Sequence, residues 1–212
     1  GDPAELYLSN STLCGNTPEN ISGDPYTDEC GNCLVDTCDD VDDDGVPDAC
    51  QQGITLDVCP DGCTYSSIQD AIDASSNGDE ILVGPGTYTS TQAGHVVDLK
   101  CKAVTLRSTD GPDATIIDGQ DARRGIVCRN GEHATTVIDG FTVINGLYES
   151  YDGGGGLYID GSSPTLKNCI IKGNRSWVGG GVSIESDADA PSFPRFENCI
   201  LEENFADFGG GG

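Results

Sequence analysis

The sequence predicts an all-β solenoid, in which short strands wind into stacked coils. The first observation is a repeat that places Phe141, Cys169 and Cys199 at equivalent positions, 28 and 30 residues apart. The second is the composition, with 30 glycines and 6% aromatic residues in a chain of 212 residues. Short β-branched runs, glycine turns and a period near 30 residues favour stacked β-coils over helical repeats.

Each coil is expected to contain two or three short strands and to lie about 4.8 Å from the next coil. Equivalent side chains then stack, with Phe141, Cys169 and Cys199 inside and Asn174 over Asn204 at a corner. Stacked asparagine amides can hydrogen-bond along the axis. At this spacing Cys169 and Cys199 can form a disulfide or remain a ladder of reduced thiols.

The N-terminal residues 1–35 are polar, rich in Asn, Asp, Pro and Gly, and lack a sustained apolar period. They predict an irregular, disulfide-rich segment. The whole chain has 11 cysteines, an odd number that leaves at least one thiol free or paired with another chain. A zinc site formed by Cys30, Cys33, Cys38 and Cys50 is the weaker alternative to disulfides. The disulfide candidates are Cys14, Cys30, Cys33, Cys38, Cys50, Cys59, Cys63, Cys101, Cys128, Cys169 and Cys199.

Residues 36–53 contain an acidic string that predicts a calcium-binding loop. Carboxylates occupy relative positions 1, 3, 5 and 9, and a glycine at position 6 allows a sharp turn. The candidate ligands are Asp40, Asp42, Asp44, Asp48 and the carbonyl oxygen of Val46. A solvated acidic loop without a cation is the alternative, although the carboxylates would then repel one another.

From residue 54 the pattern changes to that of the solenoid. Apolar residues at 68, 71, 72 and 74 behind a serine predict a short amphipathic helix over about 66–75. Strands are predicted over 80–88, 104–106, 115–119 and 125–128, and the repeats follow. A glycine run begins a further coil at Gly209, so we expect an uncapped C-terminal end.

Two resemblances add to this interpretation. The string 40–50 has the D-x-D-x-D-G-x-x-D-x-C pattern and resembles a thrombospondin type 3 repeat, which implies Asp40, Asp42, Asp44 and Asp48 as structural calcium ligands. Residues 54–212 resemble the right-handed parallel β-helix proteins of the pectate-lyase-like superfamily, in segments 64–72, 83–88, 104–108 and 115–119 and in the Asn-Cys-x-Ile repeats. This second resemblance implies a right-handed parallel β-helix with a short N-terminal capping helix. It implies no single activity, because that superfamily includes lyases, hydrolases and adhesins.

The charge is strongly acidic, with 36 Asp and Glu against 10 Lys and Arg. Residues 1–99 contain 20 acidic residues and no Lys or Arg, which predicts that this half of the chain either repels itself into disorder or is neutralised by bound cations such as Ca²⁺. A net charge of −26 argues against nucleic-acid and anionic-lipid partners. No apolar run approaches the length of about 20 residues that a membrane span needs.

The cysteines indicate an oxidising compartment, and we expect an extracellular or cell-surface protein. Three sequons, at Asn10, Asn20 and Asn174, are glycosylation candidates. The absence of Met, with Gly at position 1, suggests a processed or trimmed chain.

Catalysis is not favoured by the sequence. A polysaccharide lyase needs a basic residue and a cation, and Arg123, Arg124 and Arg129 lie near Asp118 and Asp121. The paired-aspartate, Gly-His-Gly and Arg-Ile-Lys motifs of the hydrolases in this superfamily are missing from the sequence. The two histidines, His95 and His133, lie in turn-like sequence typical of surface residues.

The expected function is therefore structural: an extracellular subunit that stacks end to end into a filament or surface assembly, stabilised by calcium and disulfides. A longer solenoid is the other interpretation of the uncapped end. The alternative function is binding or lyase-type cleavage of a polysaccharide, for which Tyr148, Tyr151, Tyr158 and Trp177 form a candidate sugar-stacking face.

Overall fold

A computed structural model describes residues 53–129, 131–188 and 190–209, together with four short strands nearer the N terminus. The chain divides into two compact units, Gly1–Gly53 and Ile54–Gly212. In the first unit, β1 (Tyr7–Leu8) pairs with β3 (Thr27–Asp28) and β2 (Thr12–Cys14) pairs with β4 (Cys33–Val35), both in parallel. The predicted calcium loop and the sequons at Asn10 and Asn20 lie outside the described residues.

The second unit is an all-parallel β-solenoid of five stacked coils, which confirms the predicted fold class. Four sheets run along it. Sheet 1 contains β5 (Thr55–Val58), β6 (Glu80–Val83), β9 (Thr105–Ser108), β12 (Val137–Asp139), β16 (Thr165–Lys167) and β20 (Arg195–Glu197). Sheet 2 contains β7 (Gly86–Tyr88), β10 (Thr115–Asp118), β13 (Thr142–Ile144), β17 (Ile170–Lys172) and β21 (Ile200–Glu202).

The other two sheets are shorter. Sheet 3 contains β8 (His95–Asp98), β11 (Arg124–Cys128), β15 (Leu157–Asp160) and β19 (Val182–Glu185). Sheet 4 contains β14 (Leu147–Tyr148), β18 (Arg175–Val178) and β22 (Phe205–Gly209), and it appears only from the third coil onward. Successive coils thus gain a fourth side where the glycine-rich repeats begin.

The core is a set of inward rows in which each coil places one side chain on the next. Sheet 1 stacks Leu56, Ile81, Leu106, Ile138 and Leu166, all buried. Sheet 2 stacks Tyr88, Ile117, Val143 and Ile171 in the same way. The core is thus built from thin layers of mostly aliphatic side chains, which fits a sequence with only 6% aromatic residues.

The single helix of the described residues, α1 (Ile68–Ala74), closes the N-terminal end of the solenoid. Ser67 is its N-cap and accepts a hydrogen bond from the backbone N–H of Asp70 at 3.3 Å. Ile68, Ala71 and Ile72 are buried against the first coil. The predicted capping helix is therefore confirmed, and no helix among the described residues is long and apolar enough to cross a membrane.

A lysine from the second coil holds the other end of this helix. Lys102 Nζ donates to the carbonyl oxygens of Ile72, Asp73 and Ser75. A cation at this position satisfies carbonyls that the helix leaves unpaired. The C-terminal end of the helix is thus fixed to the coil beneath it.

The described cysteines occur both as disulfides and as thiols. Cys59 and Cys63 form a disulfide, and Cys101 is also disulfide-bonded. Cys128, Cys169 and Cys199 are thiols. For Cys169 and Cys199 the sequence allows either a disulfide or a ladder of reduced thiols, and in the structure both are reduced thiols.

Candidate functional site

At the C-terminal end of the described residues, the inward side chains of the last strands have no further described coil packed on them. We call this surface the open coil face, and it consists of Ile184, Phe196, Cys199 and Leu201. Leu166, Ile171 and Ile159, the preceding members of three inward rows, are at most 1% exposed. The next members, Phe196, Leu201 and Ile184, are 36%, 38% and 47% exposed. Within the described residues, no further coil covers these members of the core pattern.

The backbone at the same end is also unpaired within the described part of the chain. The strands β19, β20, β21 and β22 each form the last member of their sheet. An edge of this kind presents unpaired N–H and C=O groups, which pair readily with another strand. The open coil face thus combines apolar side chains with four strand edges.

A second surface feature is a cluster of three aromatic rings, which we call the aromatic cluster: Tyr151, Trp177 and Phe208. The ring centroids of Tyr151 and Trp177 are 5.2 Å apart, and those of Trp177 and Phe208 are 5.8 Å apart, both edge to face. Tyr151 and Phe208 lie 6.3 Å apart at a tilt of 30°. Tyr151 and Phe208 are 72% and 70% exposed. The rings come from three successive coils, and because all three centroid distances lie between 5.2 and 6.3 Å the rings form a compact triangle.

A β-bulge in sheet 4 brings Phe208 into this cluster. Ser176 pairs with Ala206 and Val178 with Gly209, so two residues of β22 oppose one residue of β18. The extra residue allows two contacts with the preceding coil. Asp207 Oδ1 pairs with Arg175 at 3.0 Å, and the Phe208 ring packs on Trp177.

The loop that carries Tyr151 is held by a buried arginine. The guanidinium of Arg124 lies between two rings, 3.4 Å from the Tyr148 centroid and 4.0 Å from the Tyr158 centroid. Its Nε and one terminal nitrogen donate to the carbonyl oxygen of Gly153 at 3.0 and 2.8 Å. Cation–π contacts of this kind are strong where water is excluded. Arg124 therefore fixes the segment that positions Tyr151.

The hydroxyl of Tyr158 supports the same arrangement. Burial first, and then the neighbouring carboxylates Asp160 and Glu185, raise the pKa of Tyr158. The hydroxyl therefore stays protonated and donates to Glu185 Oε2 at 3.2 Å. Tyr148 and Tyr158, predicted as sugar-stacking residues, are engaged with Arg124 and do not join the aromatic cluster, whereas Tyr151 and Trp177 do.

The candidate lyase residues are placed in separate contacts. Arg129 pairs with Asp98 at 3.5 Å, and Arg123 donates to the carbonyl oxygen of Gln92 at 3.0 Å. Asp118 Oδ1 accepts hydrogen bonds from the backbone N–H of Gln120 and the side chain of Asn145. Among the described residues no ion pair joins these arginines to Asp118 or Asp121.

The two histidines are partly exposed, and they lie on different coils. His95 Nε2 is 3.8 Å from Asp98 Oδ2, and burial lowers the pKa of His95. His133 lies between β11 and β12. Within the described ranges, no three His, Cys, Asp or Glu side chains are grouped so as to hold a metal ion.

Asn174, a glycosylation candidate, is a buried ladder residue in the folded solenoid. Its side-chain nitrogen donates to Val143 O at 3.0 Å and to Asn204 Oδ1 at 3.1 Å. The stacking of Asn174 on Asn204 confirms the predicted corner ladder. A glycan on this nitrogen would displace those hydrogen bonds.

Sequence reasoning missed three features of the site: the role of Arg124, the place of Phe208 and the separation of the tyrosines. The repeat gives one signal for Phe208, because it falls one coil after Trp177. No comparable signal links Arg124 to Gly153, since that contact depends on the loop conformation.

No family model, curated protein or solved structure matches this chain. The parallel solenoid is shown by the strand pairing itself. The resemblances to the pectate-lyase-like superfamily and to a thrombospondin type 3 repeat therefore stay sequence-based interpretations, and the function has to be argued from the surfaces described above.

Proposed function

We propose that this chain is a non-catalytic, extracellular structural protein that self-associates end to end through the open coil face. The observation that carries the proposal is the break in exposure along the inward rows. Residues in the same row change from fully buried to more than one-third exposed within one coil. Large exposed apolar patches on soluble proteins mark interaction surfaces.

The unpaired strand edges at the open coil face also favour contact with the strands of a second copy. A second copy that docks there extends sheets 1 to 4 by backbone hydrogen bonds and covers Phe196 and Leu201 at the same time. Two open coil faces in contact form a closed pair, because the contact is then two-fold symmetric. Docking of the face on the N-terminal segment of the next copy would instead form an open filament, with that segment covering the open coil.

Calcium and disulfides complete the proposal. The acidic loop with Asp40, Asp42, Asp44 and Asp48 is proposed as a structural Ca²⁺ site, with the Val46 carbonyl as a further ligand. Bound Ca²⁺ would offset part of the net charge of −26, which opposes association between copies. The Cys59–Cys63 disulfide and the disulfide bond of Cys101 support the proposed oxidising, extracellular location.

The test measures the mass of the 212-residue chain in solution by size-exclusion chromatography with light scattering. Samples contain Ca²⁺ or a chelator under oxidising conditions. We expect species well above 22.0 kDa with Ca²⁺. Electron microscopy then separates closed pairs from filaments.

Two variants of the same residue type locate the contact. Phe196→Asp places a charge on the open coil face and is expected to reduce the mass to that of a monomer. Phe193→Asp is the matched control, because Phe193 is 73% exposed but lies outside the face. Monomers of the unmodified chain in both buffers would contradict the proposal, as would equal effects of the two variants.

A further inference from the structure

Two thiols lie one above the other on successive coils. Cys169 and Cys199 directly precede β17 and β21, which pair in register from Ile170 and Ile200 onward. The backbone N–H of Ile200 donates to the carbonyl oxygen of Cys169 at 2.9 Å. The residue before each cysteine has the same left-handed conformation, with φ of 50° and 54°. Both side chains therefore leave equivalent backbones in the same direction, and a hydrogen bond joins the two thiols.

The two thiols differ in their surroundings. Cys169 is buried in the core, whereas Cys199 is only partly buried and lies on the open coil face. Within the described residues, no further coil covers Cys199. The hydrogen bond from Cys169 lowers the pKa of Cys199 to about 6, and the same contact, together with burial, raises the pKa of Cys169. At neutral pH Cys199 is thus a thiolate within reach of solvent, and Cys169 is its protonated neighbour.

We propose that Cys199 and Cys169 form a thiol–disulfide exchange site that reacts with small, soluble disulfides. The sulfur of Cys199 attacks one sulfur of the small disulfide, so that a mixed disulfide forms and the first half leaves as a thiolate. The sulfur of Cys169 then attacks Cys199 Sγ, and the proton of Cys169 passes to the second half as it leaves. The product is a Cys169–Cys199 disulfide. The dithiol has lost two electrons, and the small disulfide has gained them as two thiols.

The stacking of the coils allows the second step. Neighbouring strands lie about 4.8 Å apart, and disulfides join residues with Cα separations of about 4.4–6.8 Å. The third described thiol, Cys128, provides the contrast, because it is fully buried and pairs with Ile159 on the next coil. Only the pair at the open coil face thus combines an accessible sulfur with a second thiol beside it, among the described thiols.

Charge decides which small disulfides react best. The carboxylate of Asp139 acts electrostatically on Cys199, and Glu197, which pairs with Lys167 at 3.7 Å, lies two residues before it. The whole chain carries a net charge of −26. The site therefore favours a cationic disulfide such as cystamine over an anionic one such as glutathione disulfide. The inference does not depend on the proposed self-association.

The experiment incubates the 212-residue chain with cystamine or with glutathione disulfide at pH 7 and low salt, and mass spectrometry follows the protein and its peptides. Light scattering verifies that the samples are monomeric, and Phe196→Asp supplies monomers where the unmodified chain associates. A cysteine pair that is already oxidised after purification is first reduced with a limiting amount of phosphine. We expect the protein to lose two hydrogens, to release two cysteamine molecules and to link Cys169 to Cys199. Cystamine is expected to react at least about tenfold faster than glutathione disulfide, and added salt should narrow that ratio.

Two variants and one matched control assign the roles of the cysteines. Cys199→Ser removes the attacking sulfur and is expected to abolish the reaction. Cys169→Ser is expected to stop the reaction at the mixed disulfide, which adds the mass of one cysteamine half to the protein. Cys128→Ser removes a thiol outside the site and is expected to behave like the unmodified chain. Circular dichroism verifies that each variant keeps the strand content of the unmodified chain.

Several results would overturn the inference. One is no reaction of the monomeric chain with cystamine, and another is a stable mixed disulfide on the unmodified chain, since Cys169 would then not resolve it. A faster reaction with glutathione disulfide would contradict the selection by charge. Loss of the reaction in Cys128→Ser would place the exchange elsewhere in the chain. An unmodified chain that stays monomeric with and without Ca²⁺, and still forms the Cys169–Cys199 disulfide, would overturn the proposed self-association and leave this inference intact.

Discussion

The side-chain amide of Asn174 donates to the amide oxygen of Asn204 at 3.1 Å and so joins the fourth coil to the fifth. The same nitrogen donates to Val143 O at 3.0 Å, and Asn174 Oδ1 accepts from the backbone N–H of Gly146 at 2.7 Å. One buried amide therefore links three successive coils, its own and the coil on either side. This corner depends on the geometry of an amide, since a carboxylate cannot donate and a methyl group can do neither.

Replacement of Asn174 by alanine is expected to lower the free energy of unfolding by about 3 kcal/mol, because it leaves several buried backbone groups without a partner. Urea denaturation followed by circular dichroism measures the change. The matched control is Asn168→Gly, which removes an exposed ladder amide that bonds to Asp139 and keeps the φ of 50° accessible. We expect its cost to stay below about 1 kcal/mol. Equal costs would show that burial of Asn174 does not matter.

The glycine-rich segment allows two backbones to approach one another closely. A Cβ at Gly155 would meet the carbonyl oxygens of Arg175, Gly146 and Gly180, none of which can rotate away. Gly155→Ala is therefore expected to cost at least about 3 kcal/mol of stability. A melting experiment on the purified variant, or its loss from the soluble fraction, provides the measurement.

The control for this prediction is Gly173→Ala. A Cβ at Gly173 meets no atom within 4 Å, although its φ of 63° is unfavourable for alanine. We expect a cost of about 1–2 kcal/mol, which comes from the backbone conformation alone. If Gly173→Ala were the more damaging change, close approach at Gly155 would not be the constraint.

The regular part of this fold could be predicted because its physics is local and repeated. The spacing of Phe141, Cys169 and Cys199 places like residues at like positions, and the observed register stacks them. The capping helix was predictable from its apolar period behind Ser67, and only its bounds changed, from 66–75 to Ile68–Ala74. A period identifies a solenoid without any knowledge of tertiary contacts.

The aromatic cluster could not be predicted in the same way, because it depends on departures from the repeat. A bulge of one residue decides that Phe208 contacts Trp177, and a loop conformation decides that Gly153 receives Arg124. Sequence reasoning therefore grouped Tyr148 and Tyr158 with Trp177, whereas both tyrosines enclose a cation instead. Arg124 is predicted as a candidate base from the sequence because its contact with Gly153 depends on the loop conformation and not on the repeat.

The alkylation rates of the thiols test whether Cys199, on the open coil face, is accessible and reactive. A hydrogen bond from Cys169 lowers the pKa of Cys199 to about 6, and Cys199 is only partly buried. Burial raises the pKa of Cys128. Because the thiolate is the reactive form, iodoacetamide at pH 7 is expected to label Cys199 before Cys128 and Cys169 in samples that light scattering shows to be monomeric, and self-association through the open coil face is expected to slow this labelling. Peptide mass mapping of the native protein identifies the labelled site.

The labelling rate of Cys199 is expected to fall as the pH is lowered through about 6, since protonation removes the thiolate. Cys169→Ala removes the hydrogen bond and is expected to shift this profile to higher pH, whereas Cys128→Ala leaves it in place. A profile with a midpoint near 8.5, the usual thiol value, in the unmodified protein would contradict the assignment.

The last prediction concerns the arginine that holds the loop of Tyr151. Arg124→Lys keeps the charge but loses the planar group that stacks between Tyr148 and Tyr158 and donates twice to Gly153 O. We expect a loss of about 2 kcal/mol in stability. A change in the emission of Trp177 is also expected, because Tyr151 packs on its ring.

The neighbouring Arg123→Lys is the matched control, since Arg123 bonds to Gln92 O and Gln120 at the exposed surface. Its effect on stability is expected to be below about 0.5 kcal/mol, and the Trp177 spectrum should not move. If the two variants behaved alike, the cation between the tyrosines would not be what positions the loop. Loss of stability without a spectral change would mean that Arg124 supports the coil but leaves Tyr151 where it is.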